Sequence, residues 1–231
     1  MKKILLPLLI LGLCINAGMA QEKQKKEKQP KDLPSPIVEV WGGMGMSSVA
    51  GTLSKAEKRL TGLFGAGFTL PLTRQNNIHF EGAYTFQGFK YKPQIYPVDD
   101  TTAIALELAE QRFNYFKLTV QDRYFFDRKR TYYVNGGLYL GYLSNSRFQA
   151  NYELIDTETG KEVHHEIDDD NSDIFRTFDL GLTGGIGVRL GNKALSNFTI
   201  EARFSYGLIN VAKPVEGEKP KARNLYGVLK L

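Results

Sequence analysis

The sequence predicts an all-β fold: an eight-stranded antiparallel up-and-down transmembrane β-barrel with four long external loops and three short periplasmic turns. In residues 173–210 two runs alternate strictly between apolar side chains and small, polar or charged ones, as on the two faces of a strand. Long and short connections between the predicted strands also alternate, as they do in membrane barrels. No apolar run reaches the roughly 20 residues that a membrane-spanning helix needs.

The N-terminus has the features of a signal peptide. Lys2 and Lys3 precede an apolar run at residues 4–15, and the small residues Gly18 and Ala20 precede a predicted cleavage site. We therefore predict a signal peptide at residues 1–20. The Lys/Glu/Gln/Pro composition of residues 21–35 predicts a disordered periplasmic tail, and residues 36–231 form the predicted barrel.

Charge and cysteine content exclude several kinds of site. The formal net charge of +5 falls mainly in the first 32 residues, which contribute +4, so the barrel carries +1 and nucleic-acid binding has no support. Cys14 is the single cysteine and lies in the predicted signal peptide, which leaves the mature chain without a disulfide or a cysteine metal site. The alternative is a lipoprotein signal with Cys14 acylated, and the bulky Leu13 argues against it.

The strands follow from alternation and from the turn residues that bound them. Predicted strands cover residues 37–46, 61–72, 78–92, 112–126, 131–143, 173–191, 197–210 and 223–231. The long loops are then 47–60, 91–111, 144–172 and 211–222, and the short turns are 73–77, 127–130 and 191–196. Residues 102–110 fit either a short helix or an extension of the next strand. Residues 151–167 predict a small β-hairpin that stands off the barrel.

Side-chain size indicates which face meets lipid. The polar set of alternate residues is rich in glycine, which suits a narrow lumen, whereas the other set is continuously large and apolar. Aromatic residues near the strand ends resemble interfacial girdles: Tyr124, Phe126, Tyr132, Tyr142 and Phe178. The alternative is a soluble periplasmic barrel whose apolar face points inward.

Charged residues on the polar face are predicted to lie in the lumen. They are Glu81, Lys117, Arg123, Asp179, Arg189, Glu201 and Arg203, with Lys230 as a further candidate. Because an unpaired charge in a low-dielectric interior is costly, we expect a cross-strand network of salt bridges. Eight strands leave room for packed side chains and little else, so the network predicts a plugged barrel without a pore.

No residue pattern predicts catalysis, a metal or a cofactor. The alternative function is a hydrolase of lipid A or phospholipid that uses His164 or His165, but no nucleophile motif surrounds the nearby Ser172. His79 is predicted to be a hydrogen-bonded residue of the lumen. The acidic run at residues 168–173 offers oxygen ligands for a divalent cation, yet it lacks the EF-hand glycine and glutamate, and a solvated acidic loop is favoured.

Residues 116–143 and 178–191 resemble the PorT-like outer-membrane β-barrel family, in which a short charged turn precedes an aromatic strand that ends in a Gly-rich motif. The likeness spans about residues 37–231, and the layout is similar to the small OmpA and OmpX barrels. The C-terminus departs from the aromatic ending usual for barrel assembly, because it ends in Leu231.

The resemblance implies a place in the outer membrane of a Gram-negative bacterium. The resulting hypothesis is a non-enzymatic structural or accessory component of the cell envelope. Its expected partners are outer-membrane lipids and lipopolysaccharide, together with envelope proteins bound through the loops or the N-terminal tail.

Overall fold

The computed structural model describes residues 35–51, 56–98, 102–156, 162–190, 198–214 and 221–231. The predicted signal peptide, residues 21–34 of the predicted tail and the predicted turn at 191–196 lie outside these residues. No helix in the described ranges has the length and apolar character needed to cross a membrane.

Strands account for most of the described chain. They are β1 (Ile37–Gly51), β2 (Ala56–Pro71), β3 (Asn76–Tyr91), β4 (Gln94–Pro97), β5 (Thr102–Phe125), β6 (Tyr132–Asp156), β7 (Glu162–Asp170), β8 (Phe178–Leu190), β9 (Phe198–Gly207) and β10 (Ala222–Lys230). One turn of 3-10 helix, Ser172–Ile174, separates β7 from β8.

The strands pair in a ring. Within the described residues all the pairings are antiparallel, and they run β5-β3-β2-β1-β10-β9-β8-β6 before β6 pairs with β5 again. β4 pairs with β5 and β7 pairs with β6 beyond this ring. We call the interior of the ring the bore.

The polarity of the two faces of the ring is the reverse of that in a water-soluble protein: apolar side chains lie outside and polar ones inside. Val38 and Val40 are 79% and 81% exposed, whereas Asp179 and His79 are fully buried. The five predicted girdle residues are all exposed on the outer face. The polar set of alternate side chains therefore points into the bore and the apolar set covers the outside, which contradicts the soluble-barrel alternative.

Glycines make room for large rings in the bore. Gly181 is paired directly with Tyr139, Gly187 with Tyr133, and Gly65 with Trp41. A Cβ added to Gly181 would lie 2.4 Å from both Tyr139 Cε1 and the Tyr206 carbonyl oxygen. The Gly-rich face of the sequence thus reflects paired positions in which one strand lacks a side chain and its neighbour carries an aromatic one.

Three of the predicted loops are largely strand, and their predicted bounds are wrong. In the predicted loop 47–60, β1 continues to Gly51 and β2 begins at Ala56, with Ser47 paired to Arg59. Backbone pairing with a neighbour does not require apolar side chains, so strands continue past the end of the apolar alternation. In this region the Ser47 hydroxyl donates a hydrogen bond to the Gly88 carbonyl oxygen at 2.8 Å.

Strands also continue into the predicted loops 91–111 and 144–172. Residues 102–110 are strand, so the strand alternative is confirmed and the helix alternative is wrong. The two strands of the predicted hairpin at 151–167 are confirmed, since β6 pairs with β7 there, and its centre at residues 157–161 lies outside the described residues. β5 and β6 are 24 and 25 residues long. The part of β5 that pairs with β4, residues 103–106, and the part of β6 that pairs with β7, residues 147–155, form a four-stranded sheet with β4 and β7, which we call the extension.

We expect Gly181→Val to destabilise the fold by about 1–3 kcal/mol, because the new side chain has no space beside Tyr139 and the β9 backbone. Urea unfolding of protein refolded into detergent micelles measures the change. Gly136→Val on β6 is the matched control, since a Cβ added at Gly136 would meet no atom within 4 Å. Equal loss of stability in both variants would contradict this account.

Candidate functional site

Glu81 on β3 lies at the centre of a buried group of charges. Its carboxylate accepts hydrogen bonds from both terminal nitrogens of Arg203 on β9, with Nη2 2.9 Å from Oε1. Lys230 on β10 and His79 also bind Oε1, the latter through Nε2 at 2.8 Å. β3 and β9 stand on opposite sides of the ring, so the Arg203–Glu81 pair crosses the bore.

Glu201 continues the network along β9. It lies two residues before Arg203, which puts both side chains on the inward face. Arg203 Nε donates to Glu201 Oε1 at 2.6 Å, and the Tyr133 hydroxyl donates to Oε2 at 2.8 Å. Arg123 Nη2 on β5 lies 3.8 Å from the same carboxylate, which connects this pair to the next one.

Glu39 on β1 is the third carboxylate of the network. Arg123 Nη1 donates to Glu39 Oε1 at 3.0 Å, and Arg189 Nη2 lies 3.6 Å from that oxygen. His79 Nε2 lies 3.7 Å from Oε2, while His79 Nδ1 is hydrogen-bonded to the Thr69 hydroxyl at 2.7 Å. One connected set of ion pairs therefore links β1, β3, β5, β8, β9 and β10.

The structure brings five of the seven predicted lumen residues into this network: Glu81, Arg123, Arg189, Glu201 and Arg203. Lys230 joins them through Glu81. Glu39 was missed by the sequence prediction, although a signal was present. It occupies an inward position of the first strand, two residues before the buried Trp41, as strand alternation requires.

Lys117 and Asp179 lie in a separate aromatic cluster. Lys117 Nζ is 4.1 Å from the ring centroids of both Tyr139 and Tyr226, a distance at which the ring faces attract a cation. Asp179 Oδ2 accepts hydrogen bonds from the Tyr139 hydroxyl at 3.0 Å and from Asn224 Nδ2 at 2.9 Å. Tyr139 thus holds the cation with its face and the anion with its hydroxyl group.

The two loop histidines are on β7 and point in opposite directions, as adjacent strand residues do. His164 Nδ1 lies 2.7 Å from Glu153 Oε1, and the His165 ring stacks on Tyr152 with centroids 5.2 Å apart. The Ser172 hydroxyl instead accepts a hydrogen bond from the Ser146 amide at 2.9 Å. These contacts do not form an arrangement of nucleophile, base and orienting carboxylate.

The acidic run is occupied by local contacts. Asp168 accepts a hydrogen bond from Gln149 at 2.9 Å. Asp170 accepts one from the Ser172 amide at 2.9 Å, and this backbone hydrogen bond lowers the pKa of the Asp170 carboxyl. In the described part of the chain no group of three or more His, Cys, Asp or Glu side chains is placed to hold a metal ion.

We expect Glu81→Gln to destabilise the folded protein by about 3–5 kcal/mol, because it leaves Arg203 and Lys230 buried without their shared counter-charge. Urea unfolding in micelles measures the loss. The control is Asp168→Asn, which removes an exposed carboxylate 3.6 Å from Arg147 and should cost less than about 1 kcal/mol. Similar values for the two variants would show that the buried network contributes little.

Comparison with known proteins identifies the family. Residues 19–213 match the family model described as "Outer membrane protein beta-barrel domain". No curated protein matches the sequence.

Solved structures with a similar arrangement include Neisserial surface protein A (NspA), with 15% identity, a TM-score of 0.43 and coverage of 86% of this chain and 99% of that one. The attachment invasion locus protein Ail of Yersinia pestis has 11% identity, a TM-score of 0.36 and coverage of 84% and 94%. Its complex with the heparin analogue sucrose octasulfate gives 12% identity, a TM-score of 0.38 and coverage of 85% and 97%. The match of the family model to most of the chain shows that the protein belongs to the outer membrane protein beta-barrel domain family and is an outer-membrane protein.

Proposed function

We propose that the protein is a non-enzymatic, structural or accessory component of the outer membrane: an eight-stranded up-and-down barrel, closed to ions, that presents an interaction surface outside the cell. The observation that carries the proposal is the network of ion pairs across the bore, centred on Glu81 and Arg203. The finer affiliation with the PorT-like family is part of this proposal. It is supported by the two segments that resemble that family: the aromatic strand is part of β6, the Gly-rich strand is β8, and the two strands pair with each other.

A closed bore is supported by what fills it. Arg203 and Glu81 meet in the middle of the ring, and the Trp41 ring lies beside them, with Lys230 Nζ 4.0 Å from its centroid. The Lys117 and Tyr139 cluster fills a second level. An ion would have to break several charge-assisted hydrogen bonds to pass, and an interior of eight strands has little other free volume.

The orientation follows from the lengths of the connections. Short links join β2 to β3 and β5 to β6 at the end of the ring where β1 begins, and the extension stands at the other end. Short turns are periplasmic and long segments extracellular in barrels of this kind. We therefore place the extension outside the cell, and the tail and short turns in the periplasm.

The length of the extension supports a role in contact with other molecules. A strand needs about 9–11 residues to cross the membrane, and β5 and β6 are more than twice as long. Their outer parts, together with β4 and β7, would stand in the region of lipopolysaccharide sugars. The proposed partners are outer-membrane lipids and lipopolysaccharide around the barrel, and envelope proteins at the extension or the N-terminal tail.

The barrel should not conduct. Pure protein in a planar lipid bilayer is expected to give no stable ion conductance, because the bore is crossed by Arg203–Glu81 and filled by buried side chains. A porin measured in the same bilayers is the positive control. Reproducible single-channel steps from the folded protein would refute the closed bore.

Lipid A and phospholipids should be chemically unchanged by the protein. Mass spectrometry of lipids from wild-type and deletion cells is expected to give the same acylation pattern, since within the described part of the chain His164 contacts Glu153 and His165 stacks on Tyr152, and neither of these partners is a nucleophile. An altered pattern that is restored by the wild-type gene but not by a His164→Ala, His165→Ala double variant would favour the hydrolase instead.

A further inference from the structure

The turn between β5 and β6 directs Arg130 back toward the bore. The backbone of Arg130 has a φ of +59°, in the left-handed region that residues other than glycine seldom adopt. Asp127 holds the turn, because its Oδ1 accepts hydrogen bonds from the amides of Thr131 at 2.8 Å and Tyr132 at 3.0 Å. The Arg130 guanidinium lies 4.7 Å from the centroid of the buried Phe125 ring.

Two further guanidinium groups lie at the same end of the bore. Arg189 has its guanidinium carbon 5.0 Å from the centroid of the same Phe125 ring. Arg123 is two residues before Phe125 on β5 and therefore on the same inward face. Burial, with repulsion from Arg189 and Arg123, lowers the pKa of Arg130. Three cations are thus held close together despite their repulsion.

The described residues supply too few acceptors for these cations. Among the described residues, no acceptor lies within hydrogen-bonding distance of the buried nitrogens Arg130 Nε, Nη1 and Nη2, Arg189 Nε and Nη2, or Arg123 Nε. Glu39 is hydrogen-bonded to Arg123 at 3.0 Å and lies 3.6 Å from Arg189. Glu201 lies 3.8 Å from Arg123 but is already bound by Arg203 and Tyr133. A buried donor without an acceptor is costly, and more so when it is charged.

A cavity of about 330 Å³ is bordered by two of these arginines, Arg123 and Arg189, together with Lys230 and the carboxylates Glu39 and Glu201, whereas Arg130 lies outside its lining. Guanidinium groups bind the oxygens of a phosphate with paired, charge-assisted hydrogen bonds, and a phosphate can satisfy several donors at once. We propose that Arg123, Arg130 and Arg189 form a binding site for a phosphate group at the turn end of the bore. The periplasmic location of this site rests on the proposed orientation of the barrel, whereas the binding itself does not.

The test uses mature protein refolded into amine-oxide micelles, which contain no phosphate, and titrated with inorganic phosphate while ³¹P NMR is recorded. The wild type should bind saturably. Arg130→Gln should weaken binding by about tenfold or more, because it removes charged hydrogen-bond donors. Arg128→Gln is the matched control: it removes the same charge from the same turn, but its side chain is exposed, so affinity should match the wild type. Glu39→Gln should tighten binding, because it removes the carboxylate that competes for the site.

A second titration, with short-chain phosphatidic acid, distinguishes a lipid headgroup from free phosphate as the source of the group. Saturable binding of either ligand that depends on Arg130 supports the site. The proposal is overturned if neither ligand binds to the folded wild type, if Arg128→Gln and Arg130→Gln weaken binding equally, or if Glu39→Gln weakens it. Migration of the unheated sample at the position of the folded protein on an SDS gel verifies folding. Arg189→Gln replaces any Arg130 variant that does not fold. Conductance is measured separately, so an open bore would refute the proposed closure without affecting this result.

Discussion

The interior of the protein depends on the contact between Glu81 and Arg203. The two residues belong to strands on opposite sides of the ring, and their paired hydrogen bonds span the distance between the two walls. Glu81 also binds Lys230 and His79, while Arg203 also binds Glu201. Each of these charges would be costly if left alone in the bore, since burial removes the water that would otherwise solvate it. Their mutual neutralisation is what allows a polar interior inside an apolar outer surface.

The aromatic residues complete this interior in a different way. Trp41, Tyr133 and Tyr139 each stand opposite a glycine on the neighbouring strand, so large rings enter a narrow bore without forcing the strands apart. Two of these rings also bind charged groups. The Tyr133 hydroxyl donates a hydrogen bond to Glu201, and the Tyr139 hydroxyl donates one to Asp179 while the face of its ring contacts Lys117. Packing and electrostatics are therefore supplied by the same side chains, and loss of one ring would affect both.

The distribution of charge along the bore connects the fold to function. Near Glu81 each cation lies beside a carboxylate, so the buried charges are matched. At the turn end, within the described ranges, Arg123, Arg130 and Arg189 share few acceptors, and this imbalance is what the proposed phosphate site rests on. At the opposite end the long strands β5 and β6 carry the chain beyond the length that a membrane requires. A centre of matched charges thus separates two ends with different chemistry.

The residues alone were enough to predict an all-β fold in which each strand carries apolar side chains on one face and small, polar or charged ones on the other. These features follow from the two-residue repeat of a strand, which is a property of the local backbone. The ends of the strands could not be predicted, because β1, β5 and β6 continue through polar residues wherever a neighbouring strand still offers backbone partners. Which charges meet depends on ring closure and on the register between strands that are distant in sequence. For this reason the joining of Glu39 to Arg123, the separation of Lys117 and Asp179 from the network, and the return of Arg130 toward Phe125 emerged only in three dimensions.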